Sequence, residues 1–256
     1  AAASTFTMPP NAVTLYAQWS ATYSVTYNGN GNTAGLAPID PSSPYVAGAT
    51  VTVLGNSGLM VRLGYTFTGW NTSANGSGNA YAAASTFSMP SSNVTLYAQW
   101  SANQYAVTYN GNGNTAGLAP IDPSSPYATD STVTVAGNTG NLLRAGYAFS
   151  GWNTSANGSG TAYAPAATFT MPPNAVTLYA QWAATYSVSY DGNGNTAGLA
   201  PIDLSSPYTV GSTVTVLGNS GLMVRLGYTF TGWNTSANGS GNAYAAASTF
   251  SMPSSN

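Results

Sequence analysis

Few side chains in this sequence can do chemistry. Its 256 residues include three Arg (Arg62, Arg144 and Arg225), five Asp, and no Lys, Glu, His or Cys. Without His or Cys, the commonest metal ligands and the usual partners of a Ser or Cys nucleophile are missing. Without Lys or Glu, Schiff-base lysines, P-loop lysines and most general bases are missing too. Three Arg cannot track a phosphate backbone, so no nucleic acid is expected as a partner. One acid and one base recur at fixed positions: Asp40 with Arg62, Asp122 with Arg144, and Asp203 with Arg225. In a chain so poor in charge this recurrence predicts a structural ion pair. If partly buried, such a pair costs about 3–5 kcal/mol to break from one side. Catalysis by these Asp would need a second titratable partner, which the sequence does not offer. The chain is expected not to be an enzyme and to carry no cofactor.

Three further patterns could bind something. The loops beginning at Asn28, Asn110 and Asp191 have the Gly-Asn alternation of a calcium loop. Calcium, however, needs several carboxylates, and only Asp191 supplies one, so a turn using left-handed Gly and Asn is the expected structure and no metal is assigned. Trp70, Trp152 and Trp233, amid Tyr and Asn, could form a sugar platform, but Trp on a strand belongs first to a core. With Trp19, Trp100 and Trp182 they are the expected core aromatics. Sequons stand at Asn71, Asn75, Asn93, Asn153, Asn157, Asn234 and Asn238. They could carry glycans in a suitable host, and they also arise by composition in an Asn- and Ser-rich chain.

The elements that position these residues come from internal repetition. Trp70, Trp152 and Trp233 each lie in the string GWNTSANGSG, 82 and 81 residues apart. Trp19, Trp100 and Trp182 each end the string VTLYAQW. The implied organisation is the tail of a preceding repeat at residues 1–19, repeat A at 23–100, repeat B at 105–182, and at 186–256 a second copy of repeat A without its last strand. Residues 23–93 and 186–256 differ at only six of 71 positions. This alternation is the mark of recent duplication and of a window on a longer array. The chain opens Ala-Ala-Ala without an initiator Met, as expected of a processed or excised segment.

A unit of about 80 residues can close a core of its own, which implies beads on a string joined by the short linkers Ser101–Gln104 and Ala183–Thr185. Within a unit, alternation predicts strands. Val13, Leu15, Ala17 and Trp19 share one face of Val13–Trp19, and Tyr23, Val25 and Tyr27 alternate with polar residues. Thr50–Leu54 and Tyr65–Trp70 are similar β-branched and aromatic runs. Asn28–Tyr45 holds three Pro and many turn formers and is expected to be a loop. Ala80–Phe87, Ala-rich and stopped by Pro90, is the one expected helical piece.

The succession Tyr-x-Val-x-Tyr, NGNG, RxGYxFxGWNT, GSGxAY, TFxMP and NVTLYAQW resembles the Listeria–Bacteroides repeat, of the internalin B-repeat type, from end to end of each unit. The resemblance implies a mainly β, small β-grasp-like (ubiquitin-like) domain. It also implies tandem arrays in secreted surface proteins, serving as stalks, spacers or adhesive modules. Charged residues are only 3 % of this chain, against about 25 % in ordinary globular proteins, whereas family members usually carry many.

A net charge of −2 gives little repulsion between copies, and weakly charged surfaces associate. No apolar run approaches the length of a membrane span. The expectation is a structural protein, extracellular or on the cell surface, that builds a stalk, fibre or filament with further copies or repeats of itself as partners. An adhesin recognising carbohydrate or a host surface is the alternative.

Overall fold

The computed structural model describes residues 5–254. It comprises two compact units that meet in sequence at Asn103 and Gln104. The first holds repeat A, and the second holds repeat B and the third repeat.

Repeat A contains strands β1 (Thr22–Tyr23), β2 (Val25–Asn28), β3 (Tyr45–Val46), β4 (Thr50–Thr52), β5 (Tyr65–Asn71), β6 (Ala80–Tyr81), β7 (Thr86–Ser88) and β8 (Val94–Ala102). Its main sheet has the order β2-β8-β5-β6. The first long strand of the repeat and its last pair in parallel, Val25 opposite Val94 through Asn28 opposite Tyr97. On its other side β8 pairs antiparallel with β5. One strand therefore sits at the centre of the sheet and joins its two halves. A ribbon of β4 and β7, with Val51 opposite Phe87, contributes the other wall of the core.

The inward faces follow the alternation of the sequence. Val25, Val51, Val53, Leu96 and Ala98 are buried together with Met60, Trp70 and Met89, and Tyr23, Tyr27, Phe67, Val94 and Trp100 pack against them. Alternation fails at one place. Between Phe67 and Gly69 the register with β8 shifts by a bulge, and Gly69, Trp70 and Asn71 are then all buried. Gly69 adopts φ 142° there, a conformation that excludes most side chains.

Repeat B repeats this plan with β9 (Gln104–Tyr105), β10 (Val107–Asn110), β11 (Tyr127–Ala128), β12 (Thr132–Thr134), β13 (Tyr147–Asn153), β14 (Ala162–Tyr163), β15 (Thr168–Thr170) and β16 (Val176–Tyr186). Its core is built from Val107, Val133, Val135, Leu142, Trp152, Met171, Leu178 and Ala180. The third repeat has β17 (Tyr208–Thr209), β18 (Thr213–Thr215), β19 (Trp233–Asn234), β20 (Ala243–Tyr244) and β21 (Thr249–Ser251). Its β18–β21 ribbon is intact. The counterpart of β5 is reduced to two residues, and no strand forms at 188–191, the counterpart of β2. Both of those strands owe their ladders in the other repeats to a central strand, and here none lies between them.

Three expectations are corrected. Ala80–Phe87 is not helical: it forms β6, a turn with Ala84 at φ 64°, and the start of β7. Cross-strand pairing of Tyr81 with Trp70 and of Phe87 with Val51 prevails over an Ala-rich run too short for an autonomous helix. No helix occurs among the described residues, so a ubiquitin-like helix packed on the sheet is missing. Nor are the expected linkers loops. Ser101 and Ala102 continue β8, Gln104 begins β9, and Ala183–Thr185 lie within β16, whose end pairs with β17 of the next repeat. Finally, Val13–Trp19 forms no strand, because the central slot of repeat A is filled by β8.

Candidate functional site

The expected ion pairs do not form. Asp40 is buried at the turn after the Pro-rich loop, where its Oδ2 accepts a hydrogen bond from the Tyr45 hydroxyl at 2.8 Å and its Oδ1 one from the Ser42 amide at 2.9 Å. Asp122 with Tyr127 and Ser124, and Asp203 with Tyr208 and Ser205, repeat this arrangement. Arg62 instead lays its guanidinium 4.0 Å from the ring centre of Tyr65, and Arg144 and Arg225 stack on Tyr147 and Tyr228 at 4.4 and 4.5 Å. A neutral Tyr hydroxyl and a turn amide satisfy the carboxylate without burying a second charge, and stacking lets Arg keep its donors near water. Burial, then the hydrogen bond to Asp40, raises the hydroxyl pKa of Tyr45, and Tyr127 is raised in the same way by burial and Asp122. For Tyr208 the bond to Asp203 is the first cause and burial the second. A shallow depression of about 470 Å³ lies beside Asp122, lined by Tyr109, Pro120, Ile121 and Ser125. The carboxylate there is already engaged as an acceptor, which suits a turn lock rather than a proton-transfer group.

The Gly-Asn loops are turns. Asn30 and Gly31 take φ 47° and 86°, and the Asn28 side chain caps the Asn30 amide at 2.8 Å. The Asn30 Nδ2 donates to the carbonyls of Ala74 and Ala98, both at 2.8 Å. The loop thus clamps the central strand, and its polar atoms serve the chain rather than a cation.

Trp70 and Trp152 are fully buried. The Nε1–H of Trp70 donates to the Leu54 carbonyl at 2.8 Å, and its ring meets Tyr27 and Phe67 edge-on at 4.7 and 5.2 Å. No ring face is open to a sugar. Trp100 and Trp182 are partly buried and donate to the carbonyls of Gly29 and Gly111. Trp233 is only partly buried. Trp19 is 92 % exposed, a correction to its expected place in a core, since no slot holds its strand.

The sequons divide. Asn71 and Asn153 are buried, and each Nδ2 donates to two Gly carbonyls while the oxygen accepts from two amides. Asn234 makes the same bonds. These three Asn build turns, and their amide nitrogens are committed, so they are withdrawn as glycan acceptors. Asn75, Asn93, Asn157 and Asn238 are exposed.

Two features were missed by sequence reasoning. One is an exposed apolar lobe in each repeat. The loop at Ala34 bridges to Val61, and this lobe leaves Leu36, Ile39, Leu59, Val61 and Leu63 exposed, with counterparts such as Leu118 and Ile121 or Leu199 and Ile202. Short apolar residues between Gly and Pro carry no periodicity, so alternation cannot see them. The other is a cleft in the third repeat between residues 187–193 and 228–234, of about 1550 Å³, floored by Val216, Met223 and Met252. Its existence was signalled by the repeat alignment. No helix is long and apolar enough to cross a membrane.

Geometry thus shows a closed β core repeated with its turn locks, and known proteins place it. The chain matches the Listeria-Bacteroides repeat domain three times in tandem, over residues 23–99, 105–181 and 186–256. It belongs to that family. A protein of Evansella cellulosilytica, provisionally named a Gly-rich membrane protein, is 42 % identical over 159 residues, which are 60 % of this chain and 18 % of that protein. A second protein of the same organism, provisionally named a membrane protein, is 52 % identical over 93 residues, 36 % of this chain and 14 % of that relative. The chain therefore spans less than a fifth of either relative. No solved structure matches.

Proposed function

We propose that the chain is part of a non-catalytic structural array at the cell surface or outside the cell, a stalk or self-assembling fibre whose partners are further copies or repeats of itself. The observation that carries this reading is the tandem recurrence of one β unit whose polar side chains are spent on its own turns. In this reading each repeat is a β-grasp-like bead without the helix. The parallel pairing of β2 with β8, and β5 on the far side of β8, support that description. Scarce charge and an exposed Leu/Ile lobe per repeat favour contact between like surfaces. The membrane-protein names of the Evansella relatives agree with a place at the cell envelope.

An adhesin is the second reading, and the same Leu36–Ile39 lobe favours it. With Trp70 and Trp152 enclosed, a carbohydrate site would need other residues. Immunogold labelling of the producing cells with antibody to residues 23–102 tests the reading. Label on material outside the envelope is expected. Label confined to the cytoplasm would overturn it.

A further inference from the structure

In repeats A and B the string VTLYAQW is the central strand. Leu96 and Ala98 are fully buried, Trp100 donates to the Gly29 carbonyl at 3.0 Å, and the Ala98 carbonyl accepts from Asn30. The third repeat presents the same surroundings as an open cleft. Tyr228 is 69 % exposed there, and Asn193 keeps only the counterpart of one of the two Asn30 bonds, to the Ala237 carbonyl. The same chain carries the string a third time at Val13–Trp19, where Leu15 is 78 % exposed.

We propose that the cleft between residues 187–193 and 228–234 is an acceptor site for a VTLYAQW strand, and that its occupant is Val13–Trp19 of a second copy, joined head to tail. Three observations identify this occupant. The string is identical to the two that fill the equivalent slots. Its own neighbouring repeat cannot take it, because β8 occupies that slot. It lies unpaired with its apolar face open, and a row of free backbone groups on each side of the cleft accepts an added strand.

The register follows from repeats A and B. Val13 lies opposite Val188 in parallel. Ala17 and Trp19 lie opposite Trp233 and Phe230 in antiparallel. Trp19 donates to the Gly192 carbonyl, and Asn193 donates to the Ala17 carbonyl. The donor's residues 5–12 leave the cleft where Met252 of the acceptor arrives and lie outside it. This inference rests on the reading of the chain as a self-associating array, and its test separates the two.

The test uses the whole 256-residue chain, its Leu15→Asp variant, and a fluorescent peptide of residues 12–21. Leu15 is exposed in the free chain, so the variant folds unchanged. Sedimentation velocity should show oligomers that grow with concentration for the natural chain and monomers for Leu15→Asp. The variant should still bind the peptide by anisotropy, and a peptide carrying Leu15→Asp should bind at least ~100-fold more weakly, as the loss of a fully buried Leu implies. A natural chain that stays monomeric, or a peptide that fails to bind the variant, overturns the proposal. Oligomers that survive Leu15→Asp overturn this site while leaving the array reading standing through another contact.

Discussion

Replacing the equivalent Trp in each repeat by Ala should give unequal losses, although the local sequence GWNTSANGSG is the same. Trp70 and Trp152 are each 1 % exposed, touched edge-on by a Tyr and a Phe, and hydrogen-bonded through Nε1. Trp→Ala at such sites costs about 3–5 kcal/mol through lost transfer energy and a residual cavity. A repeat of this size has a total stability of roughly 4–12 kcal/mol, so the substitution removes a large share of it. Trp233 keeps its Tyr190 and Phe230 contacts and its bond to the Leu217 carbonyl, but one flank faces the open cleft. Its loss should cost about 1–2 kcal/mol, in proportion to the smaller buried area. Hydrogen exchange read by mass spectrometry, peptide by peptide on the full chain, measures each opening free energy. Trp70→Ala should speed exchange in residues 23–102 by roughly 100-fold or more and leave residues 104–185 unchanged. Equal losses at Trp70 and Trp233, or opening of repeat B by Trp70→Ala, would refute the reasoning.

Three other outcomes follow from the same geometry. Gly58→Ala should destabilise repeat A by about 1–3 kcal/mol or more in thermal melting, because a Cβ there would collide with the Leu36 carbonyl, while Gly48→Ala, which meets nothing, costs little by sterics but is strained at φ 82°. Stability should be flat from neutral pH to about 9 and fall above about 10. Tyr45, Tyr127 and Tyr208 have raised pKa values in the fold, so the unfolded chain loses those protons first and binds fewer of them as pH rises. Urea melts at stepped pH check the sign. Limited trypsin digestion should cut first after Arg225, which is exposed, and later after the partly buried Arg62 and Arg144. Equal rates at all three would contradict the open cleft.

Much of this fold was legible in the sequence, for a physical reason. Strands half-buried on one face must alternate, so Tyr23-Val25-Tyr27, Val51-Val53 and Leu96-Ala98 revealed their inward sides directly. The repeat alignment likewise revealed which strand the third repeat would lack. Other features depended on contacts distant in sequence. The bulge at Gly69 is set by pairing with Gln99 across the sheet, and local alternation cannot report it. Ala80–Phe87 looked helical because propensity counts neighbours along the chain, whereas Trp70 and Val51 decide its conformation. The Asp and Arg of each repeat recurred together, which suggested one interaction. Recurrence marks residues that matter to a repeat, but it does not pair them: Asp40 found a Tyr five residues on, and Arg62 a Tyr three residues on. The buried Asn71 was read as part of a sequon, when its four hydrogen bonds make it the pin of the turn between β5 and β6.

The central claim is that these repeats are structural units of a self-associating array. Negative-stain electron microscopy of the purified chain over a range of concentrations tests it most directly. The account predicts beaded strings of uniform width that lengthen as concentration rises and persist in moderate salt, since few charges can be screened. Short particles of constant size at every concentration, or strings that dissolve at modest salt, would contradict it.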